Sequence, residues 1–161
     1  MSKLENILNF KNNGENLSTS GQPREDEFKL IADTGFEIII NIRPEFEMIY
    51  VFDERNIVSN LGLEYFQIPM TFDTLNCQIL TDFFEILEQN KEKKVLVHCH
   101  RNIRVSALIL FYRIIAQKWD KETALKEFSQ FIEVSPMWIK YIDEHISRFN
   151  SQNKGILNND I

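Results

Sequence analysis

Residues 95–106 read Val95-Leu96-Val97-His98-Cys99-His100-Arg101-Asn102-Ile103-Arg104-Val105-Ser106. The apolar run Val95–Val97 suits a short buried strand. It leads directly into a cysteine, a loop of four residues (His100, Arg101, Asn102, Ile103) and then the apolar stretch Arg104–Lys118, which predicts a central helix. Where a strand passes through a tight loop into a helix, backbone N–H groups converge on one point and favour an anion there. The same field favours a thiolate over a thiol. Arg104 adds a planar fork suited to a phosphate-like group. A nucleophile and an oxyanion clamp therefore share one loop.

The flanking sequence supplies the rest of an α/β pattern. Leu4, Ile7, Leu8 and Lys11 follow helical spacing, and Leu17–Thr19 reads as a short edge strand. Pro23 and the acidic Glu25, Asp26 and Glu27 open a helix that Gly35 ends. Phe36–Ile42 and Leu63–Ile68 read as buried strands, with a short helix Asp53–Leu61 between them. Amphipathic helices are expected over Cys77–Asn90, Lys121–Val134 and Pro136–Phe149. Strands alternating with helices imply a central, mostly parallel sheet flanked by helices, with ligands at the carboxyl ends of the strands. At 161 residues the chain fits one domain, with 1–16 as an N-terminal extension and 150–161 as a flexible tail.

Charge and composition exclude several classes. A net charge of −6 disfavours nucleic acid and acidic membrane as partners, so any positive field must be local. Two cysteines, Cys77 and Cys99, make neither a secreted disulfide framework nor a zinc site, and no apolar run is long enough to span a bilayer. The expected setting is the cytoplasm, with no cofactor and no metal. Composition is silent on oligomeric state.

Three motifs carry a family resemblance: His98-Cys99 with Arg104 and Ser106, Ser20-Gly21-Gln22-Pro23, and Ile40-Asn41-Ile42-Arg43-Pro44-Glu45. Together they resemble the protein tyrosine and dual-specificity phosphatase superfamily, in its small bacterial phosphatase-like branch, from about Ser20 to about Trp119. The resemblance implies the cysteine-phosphatase fold and metal-independent hydrolysis of a phosphorylated protein or a small phosphate ester. Cys99 would attack phosphorus to form a cysteinyl-phosphate, and Arg104 would hold the equatorial oxygens. His98 would support the loop, and Ser106 would assist the leaving thiolate. Asp73, on the loop after the second of these strands, would be the general acid. His100, Arg101, Asn102, Ile103 and Arg43 would complete the phosphate site.

The loop departs from that family in length. Five residues usually separate cysteine from arginine; four do here, and counting five lands on Val105 and loses the arginine. The loop glycine is replaced by Asn102, which tolerates the left-handed backbone better than most residues. Four-residue loops are typical of rhodanese-like sulfurtransferases, and a non-catalytic phosphate-binding module is the other alternative. Among plainer readings, Asp73 is a helix cap, with Glu45 and Asp53 as rival acids. Cys77 is a small core residue, and His145 lies on a solvated helix face.

Overall fold

The computed structural model describes residues 3–47 and 51–157. Five strands form one sheet: β1 (Lys11–Asn12), β2 (Leu17–Ser20), β3 (Ile38–Asn41), β4 (Glu64–Gln67) and β5 (Val95–His98), in the order β1-β2-β5-β3-β4. Only the β1–β2 pair is antiparallel. Strand β5 is paired along all four residues on both sides, with Ser20 and Asn41 opposite His98.

Alternation along the strands sends side chains to two cores. Ile39 and Leu96 face one side, where they pack with Phe28 and Ile31 of α1 (Glu25–Asp33) and Val58 of α2 (Glu54–Asn60). Ile38, Ile40, Val95 and Val97 face the other. That side is covered by α3 (Cys77–Gln89), α4 (Ile103–Phe111), α5 (Lys121–Phe128) and α6 (Pro136–Leu157). Helix α4 is buried along nearly its whole length and ends in a wider π-type turn, Tyr112–Ala116, where Gln117 N–H reaches back to the Tyr112 carbonyl at 3.0 Å. Helix α3 begins at a true cap, Asn76, whose side chain accepts from Ile79 N–H.

Several expectations from sequence need correction. The N-terminal stretch is only a 3-10 turn, Leu4–Asn6, after which Lys11 joins a strand; the turn at Asn9, with its left-handed φ of 50°, redirects the chain. With β1 outside it, β2 is an interior strand rather than an edge. The edge on the other side is β4, which was expected to be buried but is exposed or half-buried along its length. Residues 150–157 are not a loose tail but the last two turns of α6; 158–161 lie outside the described residues. His145 is buried rather than surface-exposed. It packs 4.1 Å from the Tyr141 ring and 5.8 Å from Phe111, and its Nδ1–H donates to the Tyr141 carbonyl.

Candidate active site

Cys99 stands at the carboxyl end of the most central strand, 1% exposed, with its N–H donating to the Ser20 carbonyl of β2. The loop after it is fixed from outside. His100 O accepts from Gln22 N–H at 3.0 Å, and Gly21 pairs with Arg101. A Cβ on Gly21 would lie 2.7 Å from His100 O, so only glycine lets β2's extension approach this closely. Asn102 takes the left-handed conformation, φ 69°, immediately before α4. Its side-chain amide donates to Asn9 O and Thr19 Oγ1, which ties the N-terminal segment to the loop. Helix α4 makes its first backbone bond from Ser106 N–H to Asn102 O, so the N–H groups of Ile103, Arg104 and Val105 precede the helical ladder. A helix start with N–H groups ahead of its ladder is the arrangement at which an anion is favoured in general.

The candidate residues do not all gather at one point. Arg43, at the end of β3, and Arg104 converge on the carboxylate of Glu47. Arg104 also donates to Met70 O at 3.2 Å, which fastens the chain leaving β4 to the site. His100 is partly buried, and its imidazole pKa is lowered by that burial and by Arg43 and Arg101. Arg101 and Ile103 are exposed. The Ser106 hydroxyl donates to Asn102 O at 2.6 Å, so here it braces the loop backbone. Asp73 sits in an exposed turn three residues beyond Met70 and, among the described residues, makes no hydrogen bond or ion pair to the Cys99 loop. It is not the cap of α3, a role Asn76 fills. Tyr141 donates to the neighbouring Phe72 O, and its phenol is pushed up to about 12 by burial and then by the charge of Asp73. Of the rival acids, Asp53 has a left-handed φ of 57° and accepts from Asn56, while Glu45 lies in an exposed turn.

Two side chains of the site, Glu54 and Glu47, escaped sequence reasoning. Behind the loop, His98 is fully buried with Nε2 2.6 Å from Glu54 Oε1 and Nδ1 facing Cys99 O at 3.4 Å. The other oxygen of Glu54 accepts from Gln22 Nε2, and Gln22 Oε1 accepts from Arg43 Nη1. Burial alone would raise the Glu54 pKa; the charge and hydrogen bond of His98, with Gln22 and Tyr65, outweigh it and hold the carboxyl below its usual range. A polar chain thus runs from Cys99 through His98, Glu54 and Gln22 to Arg43, and on to Glu47 and Arg104. A cleft of about 250 Å³ opens beside it, lined by Arg43, Glu47, Glu54, Tyr65 and Gln67 among others. In sequence, Glu54 reads as an ordinary acidic residue in a helix's first turn, and Glu47 as a turn charge. No local pattern marks either one.

Comparison with known proteins places this geometry. Residues 3–138 match the family model described as "DSP-PTPase phosphatase fused to NAD+ Kinase". The dual specificity protein phosphatase TpbA of Pseudomonas aeruginosa is 29% identical over 80 residues, which is 48% of this chain and 37% of TpbA. The match therefore spans little more than a third of that relative's length. Its crystal structure with phosphotyrosine bound superposes with a TM-score of 0.68, covering 86% of this chain and 83% of that one at 18% identity. A DUF442 protein of Shewanella putrefaciens CN-32 gives a TM-score of 0.74 at 26% identity over 91% of this chain and 96% of its own. The core catalytic domain of the PP-IP phosphatase Siw14 from S. cerevisiae gives 0.71 at 23% identity, over 92% and 94%. The chain has the α/β fold of these phosphatases, and it belongs to the DSP-PTPase phosphatase family whose model describes the form fused to NAD+ kinase.

Proposed function

We propose that the protein hydrolyses phosphate monoesters through a cysteinyl-phosphate, with no metal ion taking part. One observation carries this reading: Cys99 at the carboxyl end of β5 is followed, three residues on, by the left-handed Asn102 and the N-terminus of α4, with Arg104 in its first turn. The Cys99 thiolate attacks phosphorus while Arg104, Arg43 and the N–H groups at the helix start hold the non-bridging oxygens. The bond to the ester oxygen breaks, and that oxygen takes a proton from Asp73. Water then attacks the cysteinyl-phosphate and gives a proton to the Asp73 carboxylate. Inorganic phosphate leaves and the thiolate is restored. His98, held by Glu54, fixes the backbone behind the nucleophile. The phosphotyrosine bound by TpbA supports phosphorylated protein or a small phosphate ester as the substrate class.

The test is phosphate release from an aryl phosphate. The expected result is turnover that vanadate inhibits, chelators leave unchanged and Cys99→Ser abolishes. Thiocyanate formed from thiosulfate and cyanide in a Cys99-dependent manner, without phosphate release from any ester, would overturn the reading.

A further inference from the structure

The arginine clamp is already occupied by part of the chain. Arg104 Nη1 lies 2.6 Å from Glu47 Oε1, and its Nη2 donates to Oε2 at 2.9 Å. Arg43 Nε donates to the same Oε2 at 3.1 Å. One carboxylate therefore receives three charge-assisted contacts from two guanidinium groups, both nearly buried at 7% and 9% exposure. The Glu47 side chain is itself only 24% exposed. Burial works to raise its pKa, but Arg104 and Arg43 outweigh that and hold it below the usual carboxylate range, so it stands as an anion at neutral pH. A guanidinium fork meets a carboxylate and a phosphoryl group with the same geometry. The Glu47 oxygens take up guanidinium donors that the proposed mechanism gives to phosphate oxygens.

We propose that Glu47 is an internal competitor for the Arg43–Arg104 clamp: its carboxylate sets the affinity threshold an incoming head group must exceed, and a doubly charged group exceeds it more readily than a singly charged one. The inference rests on the phosphoryl-transfer reading of the Cys99 loop. Glu47 brings one negative charge to the two guanidinium groups it meets. A singly charged ligand replaces like with like and strands Glu47 without its partners, whereas a phosphate monoester dianion neutralises both arginines. Glu47 can yield because its turn is lightly held among the described residues. Its N–H bonds back to Pro44 O at 3.2 Å, and the neighbouring Phe46 is 82% exposed, contributing little packing.

The experiment compares wild type with Glu47→Gln, and with Glu47→Asp as the charge-preserving control. Calorimetric titrations use inorganic phosphate at pH 8 and acetate as the single-charge probe. A clamp that Glu47 occupies for 90–99% of the time weakens apparent affinity by about 10–100-fold, so Glu47→Gln should bind phosphate tighter by about that factor. Acetate affinity should rise by about the same factor, because any ligand of the clamp displaces the same carboxylate, and KM for an aryl phosphate should fall. Glu47→Asp should stay near wild type in both affinities. A gain in affinity cannot arise from misfolding. Phosphate binding that is unchanged or weaker in Glu47→Gln would overturn the competitor role while leaving the phosphatase reading intact. Absence of phosphate binding in all three proteins would overturn both.

Discussion

At the scale of residues, the roles separate into those set by chain neighbours and those set by the sheet. Cys99, Arg104, His98 and Asn102 lie within seven consecutive positions, so spacing alone points to them. Glu54 meets His98 across 44 positions, and Glu47 meets Arg104 across 57. Those contacts exist because β3 and β5 are parallel neighbours whose ends open on one crevice. No pattern in the local sequence encodes that adjacency. Asp73 falls between the two cases: its loop is placed by Met70, but the residue itself is exposed in a turn. Catalytic hydrogen bonds often form only with substrate bound. Asp73→Asn should therefore slow an ester with a poor leaving group by about 10²-fold or more. An activated aryl ester, whose leaving group needs no proton, should suffer much less. Equal small losses on both substrates, measured as kcat, would remove Asp73 from the mechanism.

At the scale of elements, the loop–helix junction is the strained point. Asn102 is the only residue of that junction with positive φ, and it holds two outside partners through its amide. Asn102→Ala should cost about 2–3 kcal/mol in urea unfolding, since it keeps the left-handed strain and loses both bonds. Asn102→Gly should cost only about 1 kcal/mol, because it removes the strain and loses only the bonds. If the two variants unfold alike, the strain argument fails. Helix positions were legible wherever apolar periodicity ran against the core, as at Leu80, Phe83, Phe84 and Leu87 of α3. Helix α6 outran its pattern: from Asn150 to Lys154 it is exposed and polar, with no apolar face against the core to announce it in the sequence. Strand rank was illegible for β2 and β4, because the two-residue partner β1 carries almost no sequence signal.

For the molecule as a whole, buried charge ties stability to acidity. Glu54 and Glu47 both have folded-state pKa values below their unfolded ones. Each therefore contributes stability that is complete above the unfolded carboxylate value, about 4.3, and is lost as pH falls through the folded value. The melting temperature should hold from neutral pH down to about 5 and then fall steeply below about 4.3. Glu54→Gln should melt well below wild type at pH 7, since breaking a buried pair costs about 3–5 kcal/mol, but its acid limb should be shallower. An acid limb as steep as wild type's would show that other carboxylates govern the transition.

Strand β5 has a hydrogen-bonded neighbour on either side, so Cys99, which follows it directly, has no freedom to slide or to be re-aimed. Glu47 rides on a short surface turn with an exposed aromatic beside it. The proposed reaction and the proposed competition for its clamp thereby sit on parts of the chain that are held very differently. A change in β5 disturbs two neighbouring strands at once, whereas an edit confined to 44–47 leaves the sheet whole, so the affinity of the proposed clamp is tunable at a turn without cost to the frame.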